Sequence, residues 1–176
     1  FPLGSSTIIW TAIDNNGNSA FATQQVDVVD TTPPTISSIS DIIVEAVVPY
    51  DNIIELQAPS ADDTLGVVSV TNDAPESFPI GETIVTWTAT DVGGNTSSVE
   101  QKITVFDTTF PILQVPEDIV LEATSLEHNE VHLGEATATD NGEIASITND
   151  APEFFSLGKT TVTWTAIDSS NNFSSL

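Results

Sequence analysis

The sequence predicts an all-β protein built from tandem β-sandwiches of about 77 residues each. Three observations predict it. The first is a strict period: Trp10, Trp87 and Trp164 stand 77 residues apart, and Gly4, Gly81 and Gly158 keep the same interval, as do Asn18, Asn95 and Asn172. A fixed period of that length marks an array of one structural unit. The second is alternation of apolar with polar residues around each tryptophan, the period-two signature of a half-buried strand. The third is that no stretch keeps a helical period over three turns.

The middle unit runs from about Thr35 to Pro111. Its elements, in order, are short apolar pairs. Ile42 and Val44 open it and recur as Ile119 and Leu121. Ile54 and Leu56 recur as Val131 and Leu133, and Val68 and Val70 as Ala145 and Ile147. The strongest segment is Thr83–Thr90, where Val85, Trp87 and Ala89 alternate with threonines; Ile8, Trp10 and Ala12 match it, as do Val162, Trp164 and Ala166. β-Branched and aromatic residues at that spacing read as a strand with its tryptophan turned inward. Ile103 and Val105, matched by Val26 and Val28, close the unit. Breakers separate these segments: Val48–Asn52, Ala58–Ser60, Asn72–Pro75, Pro79–Gly81 and Gly93–Asn95. Six or seven short strands in so few residues is a sandwich pattern.

Residues 1–34 then form the C-terminal part of a first repeat, 35–111 a complete second, and 112–176 a third lacking its last strand. The expectation is a window from a longer array. Strand exchange between chains is the alternative, although residues 1–34 duplicate a strand that the third repeat already holds. The boundaries Asp30–Pro34 and Asp107–Pro111 are short, contain proline and lack glycine. Such junctions are expected to be stiff.

The net charge is −24, with Lys102 and Lys159 the only basic residues. That excludes nucleic acid, whose phosphates need a basic surface. It also calls for a cationic counterweight to self-repulsion: calcium, high salt or a basic partner. There is no cysteine. No apolar run approaches the roughly 18 residues of a membrane span.

Asn72–Pro75 through Phe78–Gly81, Val85–Asp91, Gly94–Asn95 and Val105–Thr109 resemble the hyalin repeat (HYR) domain across essentially the whole chain. The resemblance implies an immunoglobulin-like sandwich, an extracellular or cell-surface location and an adhesive or matrix role. Animal copies often carry a cysteine pair, so its absence here points to a prokaryotic surface protein.

In such a sandwich the turn holding Asp62 and Asp63 and the turn holding Asp91 and Asn95 share one end, where Asp30 arrives from the preceding linker. At the next junction the set is Asp107, Asp140, Asp168 and Asn172. Several converging oxygens suit a hard cation, and Ca²⁺ is the candidate cofactor. The competing reading is that these Asp and Asn residues simply build turns by bonding to nearby amides. No segment matches the helix-flanked calcium loop with its closing Glu. Asn95 and Asn172 also fit the N-glycosylation sequon. His128 and His132 suggest a metal pair but fall in a turn, and Glu45 and Glu122 read as solvated strand ends. No arrangement of nucleophile and base repeats.

The expected function is therefore a non-enzymatic, structural and adhesive module of a stalk or filament. Its partners would be neighbouring repeats or copies of itself, with surface or matrix ligands at its margins. The alternatives are a carbohydrate- or ligand-binding module, for which Tyr50 is the candidate contact, or an accessory region of a larger secreted enzyme.

Overall fold

A computed structural model describes residues 1–176 and contains strands but no helix. The strands are β1 (Gly4–Ile13), β2 (Ser19–Val28), β3 (Thr35–Ile36), β4 (Ile42–Glu45), β5 (Ala61–Asp62), β6 (Val67–Asn72) and β7 (Gly81–Asp91). They continue with β8 (Thr96–Phe106), β9 (Ile112–Gln114), β10 (Thr137–Thr139), β11 (Ile144–Asn149), β12 (Trp164–Asp168) and β13 (Phe173–Ser175). No helix is long and apolar enough to cross a membrane. The chain packs as two compact units. One comprises Phe1–Ser40, Leu56–Ala74 and Ile84–Gln101; the other Asp41–Glu55, Pro75–Thr83 and Lys102–Leu176. The long strands β7 and β8 therefore contribute to both.

In the first unit β1 and β2 form a two-stranded antiparallel sheet, Gly4 opposite Val28 and Ile13 opposite Ser19. β3 pairs with β5, and β6 pairs with the second half of β7 across a bulge between Val67 and Ser69. The buried face of β7 is the predicted one: Val85, Trp87 and Ala89 are buried, and the Trp87 indole N–H donates to Gln101 Oε1 at 3.0 Å. A buried indole needs such an acceptor.

The first tryptophan behaves differently. Trp10 makes the same bond to Gln24 Oε1 at 3.0 Å, yet it is 60% exposed, whereas Trp87 is 3% exposed. The inward placement expected for all three tryptophans therefore fails for Trp10. Its alternation is that of β7, but no second layer of this chain covers the β1–β2 face.

In the second unit β4 runs parallel to the end of β8, Ile42 opposite Ile103 and Glu45 opposite Phe106. β9 pairs with β10, and the order β11-β12-β13 forms a three-stranded antiparallel sheet with a bulge between Ile144 and Ser146. Pairing and bulge repeat those of β3–β5 and β6 one period earlier. Ala46, Phe78, Ile103, Val105, Leu113 and Ala166 are its buried apolar residues.

Three expected strand segments are not strands. Ile54–Leu56 and Val131–Leu133 are each reduced to an isolated bridge nearby, Asn52 opposite Phe78 and Asn129 opposite Phe155. Ile119–Leu121 is irregular and exposed. Its counterpart β4 is held by Ile103–Phe106.

The irregular segments are organised by two side-chain locks that the sequence reading missed. The buried Asn52 accepts from the amides of Val47 and Val48 and donates to the carbonyls of Val48 and Phe78. Asn129 repeats this with Thr124, Ser125 and Phe155. Asp73 and Asp150 accept from the amides of Thr86 and Thr163, both at 2.6 Å. The signal was present, because each lock recurs at the period.

Candidate functional site

The turns closing the long hairpins are built alike. Asp91 Oδ1 accepts from the Asn95 amide at 2.8 Å and Oδ2 from Asn95 Nδ2 at 2.9 Å. Asp168 and Asn172 repeat the pair at 2.9 Å each, and Asp14 and Asn18 at 2.8 Å each. The turn-forming reading of these residues therefore holds in all three copies. For Asp91, burial is the largest single influence and acts upward. Hydrogen bonds from the side chain and amide of Asn95, and from the amides of Gly94 and Gly93, outweigh it and hold the carboxyl below the usual range.

At the first junction, within the first unit, the linker is drawn onto this turn. Asn95 Nδ2 also reaches the carbonyl of Asp30 at 3.2 Å, and Ser97 Oγ donates to the carbonyl of the buried Pro34 at 2.5 Å. Carboxylate oxygens of Asp30, Asp63 and Asp91 come within 4.8 Å of one another. Asp30 lies so close to the turn that a Cβ on Gly93 would stand 2.7 Å from the Asp30 Cβ. Asp30 Oδ1 takes the Thr32 amide and Asp63 Oδ1 the Leu65 amide, while Asp30 Oδ2 is buried without a partner.

The second junction, within the second unit, has the same plan. Asn172 Nδ2 donates to the Asp107 carbonyl at 3.2 Å, and oxygens of Asp107, Asp140 and Asp168 lie within 4.8 Å of one another. Asp107 is 7% exposed, and both its Oδ2 and that of Asp140 are buried without partners. Buried carboxylate oxygens without donors are costly. Glu45 accepts from the amide of Thr108 at 2.7 Å, so it fastens the linker rather than ending a strand in solvent. Tyr50 donates its hydroxyl to Glu143 Oε2 at 2.6 Å, and that acceptor holds the phenol above its ordinary value.

Six of the eight predicted ligands thus gather in two trios, and two do not. Asp62 lies exposed on β5, where its carbonyl accepts from Thr35 Oγ1. Asn95 turns its amide nitrogen toward Asp91, so it positions a carboxylate and offers the cluster a donor. The same engagement bears on glycosylation: Nδ2 of Asn95 faces three acceptors and that of Asn172 two, and a glycan there would displace them. His128 stacks obliquely on Phe154 with ring centres 5.3 Å apart, and neither histidine belongs to a three-ligand cluster.

The chain is similar to two sea-urchin hyalins. It is 39% identical to that of Strongylocentrotus purpuratus and 37% to that of Lytechinus variegatus, over 98% of this chain in each case. It spans only 16% and 35% of their lengths. A mouse protein, "Sushi, von Willebrand factor type A, EGF and pentraxin domain-containing protein 1", is 32% identical over 60% of this chain and 3% of its own length. These relatives are animal proteins and lend no support to the prokaryotic origin expected from the missing cysteines. Among solved structures, protocadherin gamma B7 cadherin domains 1–4 match 98% of this chain and 56% of that chain at 15% identity, with a TM-score of 0.39, too low to bear on the fold. The HYR domain model matches residues 29–105 and again 106–175, each match opening one residue ahead of a junction aspartate, Asp30 or Asp107. The chain therefore belongs to the HYR domain family of extracellular, adhesion-type repeat modules.

Proposed function

We propose that this chain is a structural, non-enzymatic stretch of an extracellular stalk or filament, and that its repeat junctions are stiffened by Ca²⁺. The observation that carries the reading is the trio of aspartates recurring at each junction, one from the linker and two from turns of the following repeat. Hard cations take six to eight oxygen ligands, which carboxylates, carbonyls and water supply together. A divalent ion held by Asp30, Asp63 and Asp91, or by Asp107, Asp140 and Asp168, would tie linker to turns and oppose bending. It would also offset part of the −24 charge and satisfy the unpartnered oxygens of Asp30, Asp107 and Asp140. The partners on this reading are neighbouring repeats and further copies of the module.

The test is thermal unfolding of the 176-residue chain in calcium, in magnesium and in chelator at constant ionic strength. The expected result is a rise in Tm specific to calcium. Coincident curves would overturn the calcium part and leave the aspartates as turn formers. A rise with any salt would mean screening of self-repulsion instead.

A further inference from the structure

The two junctions share a plan but not a ligand set, and the difference lies in two residues that break the repeat, Asn141 and Gly142, and in how a threonine they share is used. At the second junction Thr109 Oγ1 stands 2.8 Å from Asp107 Oδ1 and 2.9 Å from Asp140 Oδ1, and also against Asn141 Oδ1. A hydroxyl has one proton. It cannot satisfy two carboxylates and an amide oxygen together, so this knot of oxygens is short of positive charge. The orientation of Asn141 is set from behind, because its Nδ2 donates to the carbonyl of the buried Ala46 at 2.7 Å. That leaves Oδ1 facing the cluster.

The approach of the linker acid differs as well. Asp107 Oδ2 lies where a Cβ on Gly142 would be, 2.3 Å away, with Asp140 Oδ2 at 3.4 Å from the same point. Asp107 is more than nine-tenths buried and this oxygen has no partner, so it is aimed into the cluster. One period earlier the equivalents of Thr109, Asn141 and Gly142 are Thr32, Thr64 and Leu65. Thr32 contributes its backbone amide to Asp30, Leu65 carries a side chain where Gly142 has none, and Thr64 is exposed. The first junction has one orphaned buried oxygen and the second has two.

We propose that the two junctions load in order: Asp107, Asp140, Asp168, Asn141 and Thr109 form a tight, resident Ca²⁺ site, and Asp30, Asp63 and Asp91 a weaker one. This rests on the calcium reading above. Carboxylate number is equal at the two sites. Ligand count and preorganisation differ, and these move calcium affinity over orders of magnitude. At intermediate calcium the second junction is stiff and the first free to bend, so stiffness along the chain follows the calcium level.

The experiment is calorimetric Ca²⁺ titration of the whole chain, wild type and variants, with tryptophan fluorescence confirming the fold of each. Wild type should show two steps separated at least about tenfold. D140N should remove the tight step and D63N the weak one. G142A, which sets a methyl against Asp107 Oδ2, and N141T should each move the tight step toward the weak one. T64N, at an exposed turn, should tighten the weak step without threatening the fold. Two equal steps, or a tight step lost in D63N, would overturn the ordering and leave the calcium reading standing. No calcium heat in any folded variant would overturn both.

Discussion

The hairpin β1–β2 and its counterpart β7–β8 have the same local design and different fates. Each carries an indole-to-glutamine bond at the same phase and an Asp–Asn turn of the same geometry. Trp87 is 3% exposed and Trp10 is 60% exposed. Local sequence makes the hairpin, but only a second layer makes it a core. Within its own sheet β7 is also fastened to the end of β6, where Asp73 accepts from the Thr86 amide.

The largest expected effect comes from breaking the buried tryptophan. Trp87→Ala should destabilise by about 3–5 kcal/mol, as for other large aromatic truncations in cores. Trp10→Ala should change stability by no more than about 0.5 kcal/mol, the range of surface substitutions. Denaturant unfolding of both variants decides it. Equal losses would mean that the two hairpins are packed alike.

Next is the lock at Asn52. Asn52→Ala strands the amides of Val47 and Val48 and the carbonyl of Val48, whereas the Phe78 carbonyl keeps the backbone amide of residue 52; each buried unsatisfied group costs about 1–3 kcal/mol. The expected outcome is a lower unfolding midpoint with faster amide exchange at Val47 and Val48. An unchanged exchange rate at those amides would show that the bridge is held by packing alone.

The third contrast is in pH. Asp14 is also held below the usual carboxylate range, first by the Asn18 side chain and then by the Asn18 amide. A depressed folded value means stability that is full above the unfolded carboxylate range, near pH 4, and lost as pH falls through the lower folded value. For Asp91 that loss should appear in global unfolding, because its turn sits on the packed hairpin. For Asp14 it should appear only in exchange of the Asn16 and Asn18 amides. Asp91→Asn should flatten acid destabilisation below about pH 4, and Asp14→Asn should leave the global midpoint in place.

The smallest effect is at the surface. Lys102 and Glu82 pair at 3.0 Å on exposed side chains, which raises the lysine above its ordinary value. Gln25 and Ser5 occupy those phases in β1–β2. Lys102→Gln should cost no more than about 1 kcal/mol and less in high salt. Thermal unfolding at two salt concentrations measures it.

Much of this was legible in the chain itself. A period of 77 residues determines which positions are equivalent, and alternation about Trp87 determines which face of β7 is apolar, because side chains on a strand point to opposite faces. The Asp–Asn turns follow from short polar side chains beside a Gly-Asn pair. The junction trios followed too, since repeat phase and sandwich connectivity place Asp30 beside Asp63 and Asp91. What the sequence left open depended on partners far along the chain. Whether Trp10 is buried, whether Ile119–Leu121 is a strand, and which end of the Asn95 amide meets Asp91 are decided by the groups that arrive opposite them. Strand pairing and amide orientation are properties of two segments, so no local pattern contains them; only the tertiary structure brings the second segment into place.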